Sequence, residues 1–191
     1  MDTHSHSLEA IVQRYAPAPD DPGTATGTDK ATTHAAYLPI YAALFGAHRE
    51  TVGHLVELGV DSGASAAAWA TYFPNAAVTG IDLSLAGVRH THPRVSFIQG
   101  DATQPPPPRP GLGVVDIVID DASHRPEDQL ASLAVWGPRC RVMMILEDVA
   151  VQAPYAAFGH LATKLGLAME AHDLRATTGR FDDCLLVFTP A

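Results

Sequence analysis

Apolar residues recur along this chain in two rhythms. Leu8, Ile11, Val12 and Tyr15 fall at helical spacing over residues 8–15, and Tyr37, Tyr41, Leu44 and Phe45 do so over 34–45. Between them, residues 17–27 are rich in Pro, Gly and Asp and interrupt the first helix. From residue 54 onward, short unbroken apolar runs alternate with helical stretches. The pattern predicts strands over 54–58, 77–81, 95–99, 114–119, 142–146, 167–171 and 184–188, and helices over 65–72, 126–135 and 154–165. Strands without polar alternation are covered on both faces. Alternating them with helices gives a parallel sheet layered on both sides, and right-handed crossovers make it doubly wound. The expected class is α/β, a doubly wound, mostly parallel seven-stranded, Rossmann-like sheet. Residues 104–110 hold five prolines and predict an extended surface loop. With no internal repeat, the chain reads as one domain over 1–191, with a helical cap or lid over 1–50 and the core over 51–191.

The first predicted strand runs into Glu57-Leu58-Gly59-Val60-Asp61-Ser62-Gly63-Ala64-Ser65. Glycines at such a turn let the backbone bend sharply and a ligand approach closely, and ligands of open α/β sheets sit outside the carboxyl ends of the strands. Asp61 replaces the middle glycine of the dinucleotide fingerprint. An acid there serves a pyrophosphate poorly and suits a cofactor carrying an ammonium and a sulfonium, which points to S-adenosylmethionine. Candidate cofactor contacts at the turn are Glu57, Gly59, Gly63 and Ser65. The second strand ends at Asp82, where a βαβ unit delivers an acid to ribose hydroxyls. The third ends at Asp101 and Ala102, where a carboxylate can accept from the adenine amine.

The fourth strand ends in Asp120-Asp121-Ala122-Ser123-His124 and the fifth in Glu147-Asp148. Adjacent strand ends put these groups in one crevice, where several carboxylates require a counter-charge. All-oxygen ligands favour Mg²⁺ or Mn²⁺. Asp121 is the first candidate ligand, with Glu147 and Asp148 following. Alternation allows both of the latter only if the strand has ended by Leu146. Asp120 is expected to face the cofactor's ammonium. His124, with an ordinary pKa of about 6.5, suits a general base.

Composition narrows the partners. At 191 residues the chain suits a single core, and a formal net charge of −9 argues against nucleic-acid binding. Cys140 and Cys184 are too few for a disulfide framework and lack metal-site spacing. Met1-Asp2-Thr3-His4 leads into no apolar segment of the kind a signal peptide carries, and no run approaches the roughly 20 apolar residues of a membrane span. A cytoplasmic protein with no membrane partner is expected, with homo-oligomerisation left open.

These motifs together resemble the metal-dependent macrolide sugar O-methyltransferases, the family of the mycinamicin and demethylmacrocin enzymes. The matching stretches are Gly27-Thr28-Asp29-Lys30 with His34, Tyr37 and Tyr41; Glu57-Leu58-Gly59-Val60; Tyr72-Phe73-Pro74-Asn75; Gly80-Ile81-Asp82; Ile119 through His124; and Leu146-Glu147-Asp148. The resemblance implies a class I methyltransferase fold, magnesium held at Asp121, Glu147 and Asp148, and His124 as base for a sugar hydroxyl, with a small-molecule acceptor offering vicinal hydroxyls. Departures are Ala122 before Ser-His and Ala64 in the turn, where the family has glycine, and a chain shorter than relatives with an additional N-terminal domain. Alternatives are a catechol-type O-methyltransferase, a cofactor-binding protein or cyclase without transfer activity, and a nicotinamide oxidoreductase.

Overall fold

Successive residues of the central strands point to opposite faces of one sheet, and both faces are buried. Leu55, Ile117, Ile119, Met143, Ile145, Leu185 and Val187 face one apolar core; Val56, Leu58, Val118, Met144, Leu146, Leu186 and Phe188 face the other. This is the physical reason the strands read as unbroken apolar runs. The computed structural model describes residues 6–18, 26–108 and 112–191. The N-terminal tetrapeptide, most of the 17–27 break and the end of the proline run lie outside the described residues.

The strands are β1 (His54–Leu58), β2 (Ala77–Asp82), β3 (Val95–Gln99), β4 (Val115–Asp120), β5 (Cys140–Leu146), β6 (Leu167–Asp173) and β7 (Cys184–Pro190). They lie in the order β3-β2-β1-β4-β5-β7-β6. The first five are parallel, and β7 runs antiparallel to both β5 and β6. The chain reverses direction sideways between β1 and β4, which opens a crevice above their carboxyl ends. The helices are α1 (Leu8–Gln13), α2 (Leu38–Gly46), α3 (Ala64–Tyr72), α4 (Pro126–Trp136), α5 (Tyr155–Lys164) and α6 (Arg175–Thr178). Residues of α1, α2 and α3 join the first core, and those of α4 and α5 the second. No helix among the described residues is long and apolar enough to cross a membrane.

Local chemistry accounts for the boundaries. α3 is packed with alanines and Trp69, all buried, so it lies close to the sheet. Pro126 starts α4 and Glu127 and Asp128 occupy its first turn, where neither needs an intrahelical partner and negative charge is favoured. The helix expected over 34–45 is divided into a 3-10 turn at Ala35–Tyr37 and α2. Pro39 has no N–H to give to the carbonyl four residues back, so the helix cannot run through it. The last two strands and β5 are longer than their apolar runs, and short α6 was not marked by any apolar period.

Arg94, just before β3, donates to the carbonyls of Phe73 (2.7 Å), Ala76 (2.6 Å) and Ala70. One guanidinium thus closes the open end of α3 and the turn after it. Arg94→Ala is expected to cost about 2 kcal/mol. A lower urea midpoint with an unchanged slope would register it, and unchanged cofactor affinity would confirm that the effect is on the fold.

Candidate active site

The crevice is a cleft of about 510 Å³ lined by residues 27–29, by the β1–α3 turn, by the ends of β2, β3 and β4, and by α4. The β1–α3 turn owes its shape to three left-handed residues: Gly59 (φ 82°), Asp61 (φ 40°) and Gly63 (φ 78°). Gly59 backs directly onto the end of β4. A Cβ there would stand 2.2 Å from the Asp121 carbonyl oxygen. Asp82 Oδ2 accepts from the Val60 amide (2.8 Å) and Oδ1 from the Ser84 amide (2.9 Å), which fixes its carboxylate beside the turn. Asp101 is held by the amide and hydroxyl of Thr103, and the Ala102 carbonyl accepts from the Trp136 indole at 3.0 Å.

Side-chain alternation then sorts the acids at the ends of β4 and β5. Asp120 shares the face of Val118 and meets α4. Its Oδ2 accepts from the Ser132 hydroxyl, its Oδ1 accepts from the Ala122 amide (3.2 Å), and burial pushes its pKa up to about 6. Asp121 and Glu147 share the opposite face and meet the N-terminal segment. Lys30, with a side chain 1% exposed, places its ammonium 2.6 Å from Asp121 Oδ2 and 3.1 Å from Glu147 Oε2. Tyr41 donates to Glu147 Oε1 (2.5 Å) and Tyr37 to Asp148 Oδ1 (2.6 Å). Asp148 escapes the alternation altogether: β5 ends at Leu146, and Asp148 adopts φ 53°.

His124, also left-handed at φ 56°, spans the remaining oxygens, with Nε2 3.0 Å from Asp121 Oδ1 and Nδ1 3.6 Å from Asp148 Oδ2. Burial opposes its protonation, but the two carboxylates outweigh burial and raise it to about 9. In this arrangement the ring is an imidazolium, a cation standing between the two carboxylates. Burial also opposes ionisation of Asp121, yet the Lys30 ammonium and His124 hold its carboxyl well below the usual range. Burial pushes Glu147 and Asp148 up, with repulsion from Asp121 adding to it. Lys30 is itself raised, its acid neighbours outweighing burial, so it stays charged. The Lys30 ammonium and the His124 imidazolium therefore face three acids, Asp121, Glu147 and Asp148.

Asp121, His124 and Asp148 each offer a ligand atom within 4.8 Å of the others. The two carboxylates supply hard oxygens of the kind a small divalent cation takes, with the proton-bearing His124 ring beside them. A second group, His34, Asp148 and Asp183, is equally close and fully buried. There Arg180 already pairs with Asp183 at 2.9 Å, and His34 Nδ1 with Asp29 Oδ2 at 2.8 Å.

Of the residues expected from the sequence, Gly59, Ser65, Asp82, Asp101, Ala102, Asp120, Asp121 and His124 line the cleft. Four do not line it. Glu57 is fully buried and accepts from the Trp69 indole at 2.8 Å. Gly63 caps α3 from behind the turn. Glu147 has both oxygens taken by Tyr41 and Lys30. Asp148 reaches the site through His124. Sequence reasoning missed Lys30 as an ion-pair partner, and Gln129 and Ser132 of α4 as lining residues. The latter two were detectable, being polar residues three apart on the face of α4 that meets the sheet; Gln129 also donates to the Glu147 carbonyl at 2.8 Å.

No family model matches the chain. In sequence it is 30% identical over 135 residues to the 8-demethyl-8-alpha-L-rhamnosyl tetracenomycin-C 2'-O-methyltransferase of Streptomyces olivaceus, covering 64% of this chain and 35% of that protein. In structure it resembles the MycE methyltransferase of the mycinamycin biosynthetic pathway, solved with Mg and SAH, at a TM-score of 0.68 and 20% identity over 96% of this chain and 54% of that one. It also resembles CalS10, a SAM-bound amino pentose methyltransferase of calicheamicin biosynthesis from Micromonospora echinaspora, at a TM-score of 0.61 and 14% identity, covering 84% and 92%. The chain spans about a third of the curated relative and about half of MycE. Its fold is that of the class I S-adenosylmethionine-dependent methyltransferases, and its resemblance to a sugar O-methyltransferase of natural-product biosynthesis is borne out in sequence over 64% of the chain.

Proposed function

We propose that the chain is an S-adenosylmethionine- and Mg²⁺-dependent O-methyltransferase acting on a small-molecule natural product, at a hydroxyl of a deoxysugar on a glycosylated antibiotic. The observation that carries this reading is one continuous cleft joining a glycine turn, with Asp82 and Asp101 beyond it, to Asp121 and His124. The tetracenomycin relative, which by its name methylates a rhamnosyl 2'-oxygen, supports the acceptor class. Asp61 in the cleft supports a sulfonium donor over a nicotinamide cofactor, since its carboxylate would repel a pyrophosphate.

In this reading the turn's backbone and Asp82 hold the adenosine, Asp101 accepts from the adenine amine, and Asp120 faces the cofactor's ammonium. Asp121 and Asp148 are the residues to hold a Mg²⁺ or Mn²⁺, with Glu147 behind them. A divalent ion there supplies Lewis-acid chemistry that lowers the pKa of a bound hydroxyl. His124, released from its two carboxylates, takes the acceptor's proton on its imidazole. The donor is intrinsically reactive, so the protein's main contribution is alignment.

His124→Ala is expected to lower methyl transfer by about 10²–10⁴-fold while leaving cofactor affinity within a few-fold of wild type. Product analysis beside a cofactor titration tests both halves, and near-full turnover in the variant sinks the base role. The acceptor is tested by a product screen of vicinal sugar diols against catechols. Methylated catechols alone would replace the sugar reading, and cofactor binding with no methylated product would replace the enzyme.

A further inference from the structure

The acid cluster contains a cation of its own. Lys30 comes from a 3-10 turn, Asp29–Ala31, that Thr28 opens by accepting from the Lys30 amide. The turn drives the side chain inward until its ammonium lies between Asp121 and Glu147. Lys30 is among the largest fully buried side chains in the protein and does not line the cleft, so it touches neither cofactor nor acceptor. Among the described residues its ammonium forms ion pairs with these two acids, and Asp29 and Glu57 also favour its charge.

We infer that Lys30 is the resident counter-ion of the divalent-metal site: its ammonium, lodged between Asp121 and Glu147, holds both side chains turned towards it in the metal-free protein, and so limits how tightly the ion is held. This rests on the metal-dependent reading above. Replacing Lys30 by a neutral side chain removes one positive charge from directly beside Asp121 and Glu147, and a dication placed there would then meet one charge less of repulsion. Attraction for a dication grows with each uncompensated charge, and at short range inside protein a single unit is a large effect. A tight site is not an advantage when the acceptor must also bind and leave. Lys30 is thus a positioning residue, acting through Asp121.

The same contacts bear on the segment around it. Lys30, Tyr37 and Tyr41 each send a polar group onto an acid of the cluster. Residues 28–41 cannot lift away as a lid without stranding a buried ammonium and its carboxylates, which is strongly unfavourable. In this structure the segment forms one wall of the acid cluster.

The test uses the whole chain, without cofactor or acceptor, and Mn²⁺ alone as the probe, at pH 8. Free Mn²⁺ is read by electron paramagnetic resonance. Lys30→Met and Lys30→Gln should bind Mn²⁺ at least about tenfold more tightly than wild type, and Lys30→Arg within about threefold of it. Mn²⁺ should also raise the melting temperature of Lys30→Met by more than it raises that of wild type, by linkage. Should Lys30→Met lose its cooperative transition in chelator, Mn²⁺ should restore it; a chain that stays unfolded with Mn²⁺ overturns the inference. Equal or weaker binding in both neutral variants also overturns it, and leaves the metal-dependent reading standing wherever wild type binds. Binding in Lys30→Met but not in wild type overturns the inference together with the metal-dependent reading, because the native protein then has no metal site for Lys30 to serve. Binding in neither removes both.

Discussion

Asp121→Ala is expected to reduce methyl transfer by about 10³-fold or more, because it removes the one carboxylate that meets the cleft, His124 and Lys30 at once. The same substitution should also destabilise the chain, by about 3 kcal/mol. Lys30 would retain Glu147 alone, and a buried ammonium with half its compensation lost is costly. Asp121→Asn separates the two consequences. It preserves the shape and one accepting oxygen, so stability should recover in part while turnover does not. Chemical denaturation alongside a single-turnover methylation assay reads both. An Asp121→Asn protein with near-native turnover would dismiss Asp121 as a ligand.

Gly59→Ala is expected to be damaging for a different reason. The added methyl would meet the backbone of Asp121 and Ala122 at 2.2–2.7 Å, in a residue already at φ 82°. Backbone cannot swing aside as a long side chain can, so β1 and β4 must part at their carboxyl ends. A loss of about 3 kcal/mol or more is expected, which for a chain of this size lowers the melting temperature by roughly 10 °C. Cofactor affinity should fall with it, since the turn and the acid cluster share this contact. Differential scanning calorimetry and a cofactor titration would show whether the two losses travel together. Normal affinity in a destabilised variant would mean that the turn does not hold the cofactor.

Most of the sheet was legible because β1, β2, β4 and β5 are buried on both faces, and double burial leaves a short unbroken apolar run. The boundaries were less so. β6 is an edge strand with much of one side exposed, so its apolar run covers only part of its length. α6, four residues long, is too short to carry a period. Within the site, Asp82, Asp101, Asp120 and Asp121 all line the crevice, because strand topology brings those strand ends together. Which face each acid takes depends on strand termination. Alternation sends Glu147 to the Lys30 side, while the left-handed turn at Asp148 frees that residue from it. Lys30 itself lies 91 positions from Asp121, and no local pattern announces a partner so distant. The motif containing it was visible, but its role was not.

The three non-glycine residues with positive φ among those described, Asp61, His124 and Asp148, all stand at the carboxyl edge of the sheet. Such conformations raise the energy of the folded chain by roughly 1–2 kcal/mol each, less for aspartate. A thermostability campaign that ignored turnover would therefore be drawn to these positions first and would fill them with glycine or asparagine. Each replacement would relax the backbone and remove one of the polar groups that the site has gathered. Heat resistance and chemistry would be traded against each other at the same three codons, and a hardened variant carrying all three changes would keep the cleft while losing what it is for.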